Sequence, residues 1–248
     1  MTGISHFSPA YNDFESGGEK MKNRNYFFRS DQNLERKTLF PNYPKYHIAS
    51  KLLASSPPLA HIRFFHASPD SQKLDIYVNE RMLMRRLTFQ QISETILFSP
   101  GLYFVDIYPS DKTWDPLISE KILLYPGDHV LLAVCGMQKK VKLIRYPSDS
   151  FVPRHETKLR FIHLSPDSPP IDVVTETGDL FFQDVSFKEA TEYIGMTPMT
   201  AEFTFKLANG SYSSILEILL DPGRIYTLIC TGSSNSEIPV DFLLIIDH

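Results

Sequence analysis

The sequence predicts an all-β protein with two tandem β-sandwich domains of immunoglobulin-like or Greek-key type. Three observations predict it: short apolar runs with a period of 2, turn residues between those runs, and a segment of about 90 residues that occurs twice. The composition agrees. The chain has 248 residues, 42% hydrophobic and 22% charged, which excludes wholesale disorder and suits two domains. A net charge of −4 argues against a nucleic-acid binder. No apolar run approaches the roughly 18 residues of a membrane span. Two cysteines cannot make a disulfide scaffold.

Residues 1–57 read as a flexible or partly ordered leader. They mix Ser, Asn, Pro and Tyr with charges and hold no period. Up to residue 60 there are 8 Lys/Arg against 5 Asp/Glu, a net of +3, whereas the rest has 17 against 24, a net of −7. Tyr26, Phe27, Phe28, Phe40, Tyr43 and Tyr46 give this segment the means to dock on its own domains or on a partner. The start lacks the basic-then-apolar pattern of a secretory signal, and Met21 offers a second start after Met1. The expectation is cytoplasmic synthesis, with the cytoplasm or a non-classically supplied envelope or spore surface as the final location. Ser55-Ser56-Pro57-Pro58 marks the boundary.

From there the chain repeats itself, giving expected domains at 58–150 and 151–248. IRFFHASPDSQKLDIYV (62–78) faces LRFIHLSPDSPPIDVVT (159–175). LTFQQISETI (87–96) faces VSFKEATEYI (185–194), and YPGDHVLLAVCG (125–136) faces DPGRIYTLICTG (221–232). The period is too long for a solenoid unit. Within the first copy, Ile62, Phe64 and His66 fall on one face of a strand and Arg63, Phe65 and Ala67 on the other. Residues 74–80, 101–108, 120–125, 129–135 and 140–146 follow as strands rich in Val, Ile, Leu, Tyr and Phe. Pro126-Gly127-Asp128 and Pro222-Gly223 are hairpin turns. Residues 87–94 and 186–193 admit a short helix. The copies differ in charge: 61–150 carry 11 basic and 10 acidic residues, and 151–248 carry 6 and 14. Arg85-Arg86 and Lys139-Lys140 read as a solvated surface before they read as a site for acidic partners.

The candidate binding residues are His66, Asp70, Asp75, His163, Asp167 and Asp172, all within the paired motif. Ser-Pro-Asp is turn chemistry, with proline setting φ and the Ser or Asp oxygen accepting from a nearby backbone N–H. Asp75 and Asp172, just inside the next strand, are placed to accept bonds from the turn or from the histidines. The favoured reading is a buried polar knot that pins the turn. One nitrogen and two carboxylates per copy also form a set that suits a divalent cation, but no spacing diagnostic of a metal site accompanies them, and no cofactor is expected. Ser68 two residues after His66 invites comparison with a hydrolase pair, yet no nucleophile elbow or glycine oxyanion hole is present. Cys135 and Cys230 read as buried free thiols. Trp114, beside Asp115-Pro116, is expected to be a partly buried loop residue; if exposed, it suits stacking on a sugar or a partner.

His66-Ala67-Ser68-Pro69-Asp70-Ser71 with Leu74-Asp75-Ile76-Tyr77-Val78, and His163-Leu164-Ser165-Pro166-Asp167-Ser168 with Ile171-Asp172-Val173, resemble the bacterial family catalogued as domain of unknown function (DUF) 4397. The resemblance spans about three quarters of the chain, residues 60–247, and departs in the first copy at Gln72-Lys73. It implies tandem β-sandwiches and, for many members, a secreted or cell-wall location. It implies no activity. The expected function is a non-enzymatic structural or protein-interaction module, with a protein partner or a component of a bacterial cell or spore envelope. A small-molecule, carbohydrate or metal-binding module is the alternative.

Overall fold

Strands alternate with turns throughout the computed structural model, which describes residues 56–110, 112, 114–137, 140–207 and 213–247. All of the expected leader but its last two residues lies outside them. Each repeat contributes eight strands in two four-stranded sheets. In the first, β1 (Ala60–Ala67), β4 (Ile96–Phe98), β7 (His129–Cys135) and β8 (Lys142–Pro147) form a sheet in the order β4-β1-β7-β8. It faces a sheet ordered β3-β2-β5-β6, made of β2 (Leu74–Val78), β3 (Arg81–Leu87), β5 (Gly101–Pro109) and β6 (Ile118–Leu124). The second repeat reproduces the plan. Its β9 (Thr157–His163), β12 (Ile194–Met196), β15 (Ile225–Thr231) and β16 (Asp241–Ile246) are ordered β12-β9-β15-β16. Opposite lies β11-β10-β13-β14, from β10 (Ile171–Thr175), β11 (Leu180–Val185), β13 (Met199–Leu207) and β14 (Ser213–Leu220). Connections cross between sheets, and β1 runs parallel to β7 as β9 does to β15. The all-β, twofold sandwich expectation therefore holds.

Period-2 alternation puts Ile62, Phe64, Ile76, Val105, Ile107, Leu132 and Val134 into the first core. Phe161, Val173, Phe203, Phe205 and Leu228 fill the second. The opposite faces of β1, β7, β9 and β15 are buried too. Phe65, Ala67, Leu131, Ala133, Cys135 and Tyr146 meet Ile162, Leu164, Ile229 and Ile245 in a third core between the repeats. A strand buried on both faces needs apolar residues at successive positions. That is why His129–Cys135 and Ile225–Thr231 read as near-continuous apolar runs rather than alternating ones. Polar contacts frame this seam. Arg63 Nη1 donates to the carbonyl of Ile246 at 2.7 Å. Arg160, at the matching position, donates to the Pro147 carbonyl and to Ser148 Oγ at 3.0 Å. Gln90 Nε2 reaches Thr231 Oγ1 at 3.1 Å and Asp241 Oδ2 at 3.0 Å, and the Tyr146 hydroxyl donates to the carbonyl of Lys188 at 3.0 Å.

Three local expectations are corrected. Residues 87–94 and 186–193 form no helix. Gln90 (φ 63°) and Lys188 (φ 75°) are left-handed, and the chain turns back onto the edge of β1 or β9. There Gln90 N–H donates to the His66 carbonyl and His66 N–H to the Gln91 carbonyl, with Lys188, His163 and Glu189 doing the same in the second copy. β4 covers only Ala60–Ile62 of β1, so the remaining edge takes its backbone partners from this turn. Trp114 is 80% exposed rather than partly buried, because the β5–β6 connection carries it outside every core. Finally, β3 and β4 add strands that alternation missed, since Arg81, Arg85 and Arg86 interrupt the apolar pattern of β3.

Candidate functional site

His66 is the next-to-last residue of β1 and His163 the last of β9, and both are fully buried. His66 Nδ1 lies 3.2 Å from the N–H of Ser68, and Nε2 lies 3.1 Å from the carbonyl of Gln72. His163 repeats this with the N–H of Ser165 at 3.2 Å and the carbonyl of Pro169 at 3.2 Å. A backbone N–H only donates and a carbonyl only accepts. Both rings are therefore neutral, with Nδ1 accepting and the proton on Nε2. Burial pushes both pKa values below the ordinary histidine range; the carbonyls of Gln72 and Pro169, and Glu189 near His163, pull the other way without cancelling it.

The serines tie this turn to the β7–β8 connection in the first copy and the β15–β16 connection in the second. Ser68 Oγ donates to the carbonyl of Gly136 at 2.7 Å, and Ser165 Oγ to that of Gly232 at 3.0 Å. Ser71 and Ser168 complete the cluster at 2.7 and 2.6 Å. Both glycines are left-handed, and a Cβ there would lie 2.5 Å from the Lys140 oxygen or 2.0 Å from the Pro239 oxygen. Only glycine fits so close an approach.

The aspartates do not bond the histidines, which is a further correction to the sequence reading. Asp75 Oδ1 accepts from Arg86 N–H and Ser110 Oγ, both at 2.7 Å. Asp172 Oδ1 accepts from Asp184 N–H at 2.7 Å. Arg86 (φ 59°) and Asp184 (φ 52°) are the left-handed residues where β3 and β11 shift register, so each carboxylate holds a bulge. Asp70 and Asp167 have diverged. Asp167 accepts from Ser233 Oγ, Ser234 N–H and both Asn235 nitrogens at 2.8–3.1 Å. Partial burial raises its pKa, but those four donors outweigh it and hold the carboxyl below the usual range. Asp70 is exposed, with Ser68 Oγ at 3.4 Å, and lines a shallow groove of about 220 Å³ with Ser71, Gln72, Pro109, Lys112 and Leu117.

The motif thus brings His, Ser and Asp together, but their polar atoms serve the fold. Among the described residues, no buried side-chain nitrogen or oxygen lacks a partner. The imidazole accepts from the serine's amide and not its hydroxyl, so it is not placed to take a proton from Ser68 Oγ. Both ring nitrogens are committed, and no three His, Cys, Asp or Glu side chains among the described residues are arranged to hold a metal ion. Cys135 and Cys230 are buried free thiols; burial pushes Cys135 up to about 12 and Cys230 higher. The groove residues Pro109, Lys112 and Leu117 were missed. The only signal was Gln72-Lys73, which breaks the repeat where the second copy has Pro169-Pro170.

A family model described as "Domain of unknown function (DUF4397)" matches the chain twice, over residues 60–174 and 157–248. No curated protein matches. Among solved structures, the Bacillus anthracis TIE protein is similar at 13% identity and a TM-score of 0.26, over 71% of this chain and 34% of that one. The chain therefore spans about a third of that protein's length.

Proposed function

The chain belongs to the DUF4397 family, and from that premise we propose that it is a non-enzymatic interaction module whose docking surface is the outer face of β3-β2-β5-β6. One observation carries this reading. Leu102, Phe104, Leu123 and Met82 stand on that face between 45% and 49% exposed. The second repeat has Thr200 and Glu202 where the first has Leu102 and Phe104. Thr200 and Glu202 indicate that the fold needs no apolar residue at the Leu102 and Phe104 positions, although the matching sheet of the second repeat exposes Ile215 and Leu219 of its own; an exposed apolar cluster of this kind supports a docking role. Lys121 lies 5.2 Å over the Phe104 ring, and Asp106 sits two residues along β5. The matching surface is a protein with an apolar centre, an acidic group for Lys121 and a basic one for Asp106. The seam between the repeats supports the reading, because it presents this face from one firm block. Among the described residues, no helix is long and apolar enough to cross a membrane. A bacterial cell or spore envelope is the proposed setting.

Fractionation of producing cells, with protease accessibility of each fraction, tests the proposal. The wild type is expected in an accessible envelope or spore layer, and Phe104→Glu is expected to shift it to the soluble fraction. Recovery of both proteins as soluble cytoplasmic protein overturns the reading.

A further inference from the structure

The outer sheet of each sandwich has edges of two kinds. On one side, β3 and β11 shift register at the left-handed residues Arg86 and Asp184, and three arginines interrupt β3. Bulges and charges of this kind keep an edge from pairing with another chain. On the other side, β6 and β14 hold an unbroken register against β5 and β13 and contain no proline. Among the described residues, no strand pairs with their free sides. Phe104, opposite Lys121, spends its backbone on Asn79: its N–H donates to Asn79 Oδ1 at 2.9 Å and its carbonyl accepts from Asn79 N–H at 2.8 Å. The N–H and C=O of Lys121 therefore point away from β5, to the open side. Alternation gives Ser119 and Leu123 the same outward backbone, and Arg145 Nη1 lies 3.4 Å from the Leu123 carbonyl there. The matched register puts Ile215, Glu217 and Leu219 in these places on β14. A groove of about 230 Å³ between β6 and β8 leaves space beside the first edge.

The side chains on the two edges are complementary. Lys121 and Leu123 stand exposed on β6; on β14, Ile215 and Leu219 are 62% and 63% exposed and flank Glu217. Glu217 faces Glu202 across the ladder, and like charges directly opposite repel. A cation relieves that pair, and Lys121 carries one at the equivalent position of the first repeat. We infer that copies of this chain join head to tail, β6 of one pairing antiparallel with β14 of the next. This deepens the docking role proposed for the β3-β2-β5-β6 face and rests on it: the acidic group that meets Lys121 is Glu217 of a second copy. With those two opposite each other, Leu123 falls opposite Ile215 and Ser119 opposite Leu219, all on the outer face. Two like edges paired about these residues would set Lys121 against Lys121 or Glu217 against Glu217, so charge selects unlike edges. The edges also lie on opposite sides of the block. Tyr146 on β8 reaches Lys188, just ahead of β12, and Gln90, just ahead of β4, reaches Asp241 on β16. The β8 margin of one inner sheet thus overlies the β12 margin of the other. β6 adjoins β8, and β14 takes the equivalent place beside β16, so two copies cannot close on each other. Contact between unlike patches then continues through further copies.

Sedimentation equilibrium of the full chain over a wide range of concentration tests this. The wild type is expected to associate beyond two copies. Lys121→Glu and Glu217→Lys are each expected to weaken association at least tenfold without lowering the thermal stability. An equimolar mixture of the two variants, and the double variant, are expected to regain it, because each restores opposite charges at every joint. Four results overturn the inference: a single-chain mass up to the solubility limit, a mass that stops at two copies, association that neither single variant weakens, or a loss that the mixture does not restore. The two proposals fail separately. A single-chain mass with the wild type still in the envelope layer overturns self-pairing alone, whereas recovery of the wild type and Phe104→Glu only as soluble protein overturns the envelope reading whatever the mass.

Discussion

Lowering the pH from 7.5 to 5.5 should destabilise the protein through His66 and His163. Burial holds the folded-state pKa of each below the ordinary 6.5. The unfolded chain takes up protons as the pH falls through 6.5, while the folded chain resists. The contribution is thus fully present above the unfolded value and is lost as pH falls below it, toward the depressed folded value. A ring that stays neutral in the fold costs about 1.4 kcal/mol over these two pH units, from RT ln(11/1.1), so two rings cost at most about 2.7 kcal/mol. The hydrogen bonds explain why the fold resists: a proton on Nδ1 would face the N–H of Ser68 or Ser165 at 3.2 Å. Urea unfolding at both pH values measures the loss. His66→Gln should lose about half the pH dependence, and the double variant with His163→Gln should lose nearly all of it. The wild type is expected to lose up to about 2.7 kcal/mol. Equal pH dependence in the wild type and the double variant would refute the neutral, Nε2-protonated assignment.

The remaining predictions concern the same knots. Gly232→Ala should cost about 2–4 kcal/mol, and more than Gly136→Ala, because its Cβ would meet the Pro239 oxygen at 2.0 Å against 2.5 Å for the Lys140 oxygen; thermal unfolding ranks them. Asp75→Ala should cost about 1–3 kcal/mol by leaving Arg86 N–H and Ser110 Oγ without their acceptor. Asp172→Ala, which removes the acceptor of Asp184 N–H alone, should cost less in the same urea assay. Neither cysteine should react with a water-soluble disulfide reagent at pH 8 in the folded state, and both should react in denaturant, since burial disfavours the thiolate at Cys135 and Cys230.

Architecture was legible because each repeat carries its strands in plain alternation and its turns in Pro-Gly and Ser-Pro-Asp. Repetition then showed which features belong to the fold. What alternation could not show was any strand whose pattern is broken for a reason outside itself. β3 is interrupted by three arginines and a bulge, so its period disappears although Asp75, eleven residues before Arg86, holds the bulge in place. LTFQQISETI looks helical because apolar residues recur irregularly, but its backbone is claimed by the open edge of β1. The site was half legible. Turn chemistry led to the expectation that His66 and Asp75 are hydrogen-bonded; that they serve different connections required coordinates, since Gln72 holds His66 whereas Arg86 and Ser110 hold Asp75.

The seam between the repeats bears on what duplication achieved here. Phe65, Leu131 and Tyr146 in one copy meet Ile162, Ile229 and Ile245 in the other, and Arg63 and Arg160 each reach the end of the other copy's last strand. Repeat-related positions meeting across one seam have the pattern of a twofold, isologous interface contained within a single chain. A duplicated chain differs from a true homodimer in one respect: its two halves can change independently. The inner faces have kept their apolar character because both copies must bury them. The outer faces and motif loops, free of that constraint, have separated. Phe104 stands opposite Lys121 where the second copy pairs Glu202 with Glu217, and Asp70 lines a groove where Asp167 clamps a hairpin. The difference of +1 against −8 in net charge between 61–150 and 151–248 is the same separation at larger scale. The second repeat completes the seam without which Phe65 and Leu131 would face water.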